Sequence, residues 1–173
     1  MVFAVVVILA AVIIIGWFIG QSNRLNRYVV SIEESKKTVD ITLAKRYDTI
    51  SEMLKVAKAY AKHEEKVFTE LVGLRQSASI QETNRAMANQ NDVLSQIRAV
   101  AENYPDLMSS QQFLTLQKEI ASENDELAAS KRIVNSNVRV MNQAIVSFPT
   151  SLVAGFKGMS KFDFLEEDLE GKK

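Results

Sequence analysis

The chain opens on an unbroken apolar run. Residues 1–20 carry no charged side chain and are almost all Val, Ile, Ala, Phe or Leu, with Gly16, Trp17 and Gly20 near the far end. Twenty helical residues at about 1.5 Å each span about 30 Å, the thickness of the hydrocarbon core of a bilayer. The pattern predicts a transmembrane helix over 1–20. Nothing basic precedes the run, and Phe18-Ile19-Gly20-Gln21-Ser22-Asn23 offers no small-x-small cleavage site. A retained anchor is therefore expected rather than a cleaved signal peptide. Gly16 and Gly20 fall four residues apart on one face, a small-xxx-small pair through which two anchors could approach closely and make a self-contact. Trp17 reads as an interfacial residue.

Beyond the run the apolar positions keep helical spacing. Tyr28, Ile32, Ser35, Val39, Leu43, Arg46, Ile50, Leu54, Ala57, Ala61, Phe68, Leu71 and Leu74 follow a three-and-four pattern, and no Gly or Pro interrupts residues 21–72. One long helix continuing the anchor, or two nearly continuous ones, is predicted, ending near Gly73. Ser79 and Glu82 stand at capping-box spacing ahead of a second helix over about 81–103, whose stripe is Met87, Gln90, Leu94, Ile97, Ala101 and Tyr104. Pro105 ends it, and Asp106 or Ser109 is expected to cap the next. In the third helix, about 110–147, Phe113, Ile120, Leu127, Val134, Met141 and Phe148 recur every seven residues, with Asn124 and Lys131 as polar interruptions of the seam. Phe148-Pro149 breaks this pattern. The tail that follows carries Phe156, Phe162 and Phe164 and is expected to dock on its own bundle, a neighbouring subunit or the bilayer surface. It closes on a charged end, Glu166 to Lys173.

The pattern predicts an all-α fold: an N-terminal transmembrane helix continuing into an elongated antiparallel bundle of three to four helices. The expected division is an anchor over 1–20, a bundle over 21–148 and an amphipathic, Phe-rich tail over 149–173. Short links around 76–80 and at Pro105 favour antiparallel neighbours, and helices of this length suggest a rod standing on the membrane.

Composition sharpens this picture in three ways. Only 2 Pro and 6 Gly occur in 173 residues, in keeping with long helices. The absence of Cys excludes a disulfide framework, a thiolate metal site and a cysteine nucleophile. Charge is balanced at 21 basic and 21 acidic residues, with no block of the basic excess that nucleic-acid binding requires. A mild positive bias, 6 basic against 4 acidic over residues 22–48, sits beside the anchor. Arg24, Arg27, Lys36 and Lys37 follow the span and none precedes it, so the positive-inside rule predicts the bundle on the cytoplasmic side.

Candidate chemistry is sparse. His63 is the one histidine, and His63-Glu64-Glu65-Lys66-Val67 lacks the second histidine of an H-E-x-x-H zinc site. The acidic pairs Glu33/Glu34, Glu64/Glu65 and Glu166/Glu167 are sequence neighbours, which point about 100° apart on a helix and do not converge. No catalytic residue, metal or cofactor is expected. Arg46 falls on the apolar stripe beside Tyr47. A semi-buried guanidinium calls for an acceptor, and an acid on the third helix such as Asp125 or Glu126 is the expected partner, in a structural ion pair or a subunit contact.

Three blocks carry a resemblance. The first is residues 39–64, with Lys45-Arg46-Tyr47-Asp48 and then Tyr60-Ala61-Lys62-His63-Glu64. The second is Ala101-Glu102-Asn103-Tyr104-Pro105-Asp106-Leu107, and the third Ser147-Phe148-Pro149 with Leu152-Val153-Ala154-Gly155-Phe156. In order and spacing they resemble the bacterial LemA family, whose pattern has a VDVQLxRRYD-like stretch leading to KGYAxHE. The resemblance covers about residues 22–165. It departs at Ser51, where the family often has Pro, and at Lys36, where it often has Trp. It implies a single-pass protein of the bacterial inner membrane with an antiparallel helical bundle. One branch of the family is associated with magnetosome membrane formation, so membrane shaping is what a divergent member would inherit. The function expected is a non-enzymatic membrane scaffold that is a homo-oligomer with the lipid bilayer as its partner. The alternative is a membrane-tethered adaptor that recruits another protein.

Overall fold

The computed structural model describes residues 1–61 and 79–166. Its regular elements are all helices, with no strand among the described residues. Helix α1 runs without interruption from Val2 to Tyr60. The predicted anchor and the first bundle helix are therefore one element, and the chain stays helical through Ser51. The expected end near Gly73 and the stripe residues Phe68, Leu71 and Leu74 lie outside the described residues, as do His63, Glu64 and the charged end from Glu167.

Helix α2 spans Ile80–Glu102. Ser79 caps it as its spacing predicts, its hydroxyl accepting from the Glu82 N–H at 3.2 Å. Pro105 does more than end α2. It occupies the first turn of a short helix, α3, Pro105–Ser109, where a missing N–H costs nothing. Helix α4 spans Gln111–Val146. Its cap is Ser110, whose hydroxyl accepts from the Phe113 N–H at 3.2 Å. Neither Asp106 nor Ser109 takes that role, because α3 uses both within its own turn and Ser109 Oγ donates back to the Asp106 carbonyl. Helix α5, Thr150–Phe156, follows Pro149.

The helices pack into two compact units, each assembled from distant parts of the sequence. One combines residues 36–132 with 165–173. Its core holds Ile50, Met53, Val56 and Ala57 of α1, Val93, Leu94, Ile97 and Ala101 of α2, and Leu107, Phe113 and Ile120 beyond. Within it α4 runs against α1, since Thr49 meets Glu123 and Lys45 meets Glu126. Helix α2 advances with α1, so these two neighbours are parallel and not antiparallel as the link around 76–80 suggests. Arg46 shares a cavity with Asn91 and Asn124, whereas Met53, two turns further along α1, shares one with Ala101 and Gln117. Leu165 is buried in this unit, and the Glu166 N–H donates to Asn84 Oδ1 at 3.1 Å.

The other unit combines residues 1–35 with 133–164. It buries Leu25, Ile32, Val134, Val138, Met141, Val153 and Ala154. Asn137 of α4 donates to the Ser31 carbonyl and to Ser35 Oγ, both at 3.1 Å, and Thr150 donates to Gln21 Oε1 at 3.1 Å. These pairings again set the C-terminal half of the chain antiparallel to α1. Asn142 clasps the tail, its amide donating to the Phe162 carbonyl at 2.9 Å while its oxygen accepts from the Phe162 N–H at 2.8 Å.

The seven-residue seam of α4 is buried at Phe113, Ile120, Leu127, Val134 and Met141, and fails at Phe148, which is 82% exposed. The helix ends at Val146, two residues short of it, so the repeat no longer governs where that ring points. From Val2 through Trp17 every residue of α1 is exposed, and this first part of the helix is long and apolar enough to cross a membrane.

Candidate functional site

The residues singled out by the first motif build a buried polar cluster between α1, α2 and α4. Arg46 is buried, as its place on the stripe requires. Its guanidinium donates to Gln90 Oε1 at 3.2 Å and to Asn91 Oδ1 at 2.6 Å. Gln90 is fully buried, and its own amide donates to the Leu43 carbonyl at 3.0 Å. Two of its hydrogen-bond partners are thus amides on α2, and the acid of α4 that it acts on electrostatically is Glu123. Asp125 and Glu126 are both exposed. Glu126 instead accepts from the exposed Lys45 at 3.5 Å, a surface pair of the kind that contributes little.

The acid nearest in role is Glu123, one turn before Glu126. One of its oxygens accepts the Thr49 hydroxyl at 2.8 Å, while the other is buried with no hydrogen-bond partner among the described residues. Burial pushes its carboxyl above the usual carboxylate range. The Thr49 hydrogen bond opposes that rise, Glu119 adds to it, and Arg46 and Lys45 work against it. Asn91, Arg98, Asn124 and Arg46 border an open cavity of about 280 Å³ beside this cluster. A guanidinium held by neutral amides, each amide bonded or half-exposed in turn, fixes helix rotation and register. The other motif positions serve the same packing. Tyr47 is half-buried, Tyr104 packs against the core, and Asp48 and Tyr60 are exposed. Among the described residues no group of three or more His, Asp or Glu side chains could share a metal ion.

A second cluster surrounds the point where α1 changes from apolar to polar. Gln21 accepts from Thr150, and Lys157 Nζ donates to Ser22 Oγ at 3.1 Å and to Asn26 Oδ1 at 2.6 Å. One turn earlier, the ring of Phe18 meets that of Phe156 edge to face, with centroids 6.2 Å apart. Arg24 Nε donates to the Tyr28 hydroxyl at 2.7 Å beside a cleft that Phe148 and Pro149 also border. Of the tail aromatics, Phe162 is half-buried, Phe164 is exposed, and Phe156 is 84% exposed. Asn142 bonds the tail backbone at Phe162, and Leu165 is buried. Sequence reasoning missed Asn142 and Gln90 as fastening residues. Gln90 stood out only as a polar residue on an apolar stripe, and Asn142 gave no signal. Gly16 and Gly20 have nothing within 4 Å of where a Cβ would lie, so their face of α1 is open.

These features define a class: an all-helical bundle built around a helix whose N-terminal part is apolar and uncovered, with its buried polar groups joined in a register-setting lock. The chain belongs to the LemA family, whose model matches residues 35–173. The match begins beyond the apolar segment and takes in the Lys45–Asp48, Tyr104-Pro105 and Phe148-Pro149 blocks. No curated protein matches the chain at a significant level.

Proposed function

We propose that this protein is a non-enzymatic, membrane-anchored scaffold that self-associates through helix packing and organises or shapes the membrane. One observation carries the reading. Helix α1 is continuous from Val2 to Tyr60, with an uncovered apolar surface in its first part and a buried stripe in its second. An uncovered apolar surface of this length needs lipid around it. The helix that carries this surface also contributes to the bundle core further along.

The membrane is the bacterial cytoplasmic membrane and the bundle stands on its cytoplasmic side, a reading supported by Arg24, Arg27, Lys36 and Lys37 after the span. Self-association is supported by the open Gly16–Gly20 face. Met108 and Leu114, exposed at the α3–α4 link, favour the second reading, a tether that recruits a partner protein there. Electron microscopy of the full-length protein, in mild detergent and in its native membrane, separates the two. Regular rings, cages or arrays are expected of a scaffold. Small dispersed particles would favour the tether.

A further inference from the structure

We infer that α5 and the residues just before it form a second membrane contact: Phe148, Leu152 and Phe156 enter the headgroup–acyl boundary of the bilayer that α1 spans. This rests on the membrane-anchored reading of α1 and adds to it a named surface outside the span.

Three observations place the contact. The first is exposure. Phe148 is 82%, Leu152 53% and Phe156 84% exposed, while Val153 and Ala154 on the opposite side of α5 are buried. Leu152 and Phe156 are four residues apart and so share a helix face. Large apolar side chains left in water on and just before a helix whose opposite side is buried mark a surface meant for something else.

The second is level. Phe156 touches Phe18, which belongs to the apolar run, whereas Thr150 bonds Gln21 and Lys157 bonds Ser22 and Asn26, which belong to the polar continuation. Helix α5 thus straddles the point on α1 where a membrane surface has to lie. Its exposed face is continuous with the exposed apolar face of the span through Phe18 and Ile19. A protein partner covering this face would have to sit within the headgroup layer.

The third is charge. The flanking cations are Arg24, Arg27, Lys157 and Lys161, and no acidic residue occurs from Gln21 to Ile32 or from Val146 to Phe162. Apolar rings with Lys and Arg on the polar side are the composition that settles at an anionic interface. The hydrogen bonds from Lys157 and Thr150 hold α5 against α1, so the wedge is preformed and needs no ordering on insertion. Two attachment points would fix the depth of α1 and its rotation about its own axis, which a lone span leaves free.

The test uses full-length protein in vesicles of phosphatidylcholine and phosphatidylglycerol. Trp17 is the sole tryptophan, so Trp17→Phe provides a background for single reporters at Phe156→Trp, Phe148→Trp and, as a reference further along α4, Ile133→Trp. Flotation with the vesicles is scored first. The expected result is flotation of all three, with blue-shifted emission at 156 and 148, quenching there by lipids brominated near the headgroup, and acrylamide quenching several-fold weaker than at 133. Flotation with reporters at 156 and 148 as accessible to acrylamide as at 133, and untouched by brominated lipid, would overturn the second contact while leaving the anchor intact. Failure to float in every variant and in the unaltered protein would overturn both.

Discussion

Arg46 shows how a charge is kept on a buried helix face. It donates to two neutral amides, and one electrostatic counterweight is Glu123, itself half-buried and with one buried oxygen short of a hydrogen bond. The asymmetry between losing a charge and stranding one follows. Gln90→Leu removes an acceptor and leaves the guanidinium buried, at a cost of about 2 kcal/mol or more. Arg46→Leu removes the charge with its stem volume largely replaced, so it should cost less. Denaturant melts of the two variants measure the order, and an Arg46→Leu protein less stable than Gln90→Leu would contradict it. Glu123 makes a separate prediction. Its carboxyl titrates higher in the folded protein than unfolded, so the folded state binds the proton more tightly. Stability then falls as pH rises from the ordinary carboxylate range through the raised folded value, and the penalty is complete above it. Glu123→Gln keeps an oxygen for Thr49 and removes the charge. It should be more stable than the unaltered protein at neutral pH, with the difference closing as the pH is lowered into the usual range for glutamate.

At the scale of elements, the helix ends are set by single side chains. Ser79 and Ser110 each satisfy an N–H that would otherwise have no intrahelical partner. Ser79→Ala and Ser110→Ala should each cost about 1 kcal/mol, and Ser109→Ala close to nothing, in thermal or denaturant melts. The tail is a different kind of element, with no regular structure over residues 159–166 and one two-sided clasp at Asn142. Asn142→Ala removes two hydrogen bonds at about 1 kcal/mol each. Trypsin should then cut after Lys157 and Lys161 faster than in the unaltered protein, while sites within α4 keep their resistance. Equal rates at Lys157 and Lys161 in both proteins would show that Leu165 and Glu166 hold the tail without the clasp.

For the whole molecule the governing fact is that α1 and α4 each contribute to both compact units, so neither unit is a contiguous stretch of chain. Folding of either unit therefore requires closing a long loop between distant segments, and truncation from the C-terminal end should unsettle the unit that contains residues 1–35 as well. The membrane reading makes its own prediction. In intact cells the bundle should resist externally added protease and become sensitive on lysis. If the Gly16–Gly20 face joins two anchors, Gly16→Ile with Gly20→Ile should reduce the particle size in mild detergent without changing helix content by circular dichroism, because none of the described residues packs on that face.

Much of this was legible in the chain itself, because periodicity is local. An apolar run without a break announces a segment that no polar solvent covers, and a three-and-four spacing announces which side of a helix is hidden. The stripe from Ile32 to Ala61, the α2 stripe and the α4 seam as far as Met141 were readable on that ground, as were the Ser79 cap and the stop at Pro105. The chemistry of Arg46 was readable too, in that it needed an acceptor. What the sequence could not supply was which acceptor. Asn91 and Gln90 lie 45 and 44 residues away, and their meeting with Arg46 depends on the rotation and direction of α2 against α1, which no local spacing encodes. The same limit hid the role of Asn142, the burial of Glu123 and the course of the tail. Phe148 marks the boundary between the two kinds of knowledge. Its seven-residue spacing is correct as far as the helix lasts, and the helix ends two residues before it, leaving tertiary packing to turn the ring outward beside the end of the apolar span.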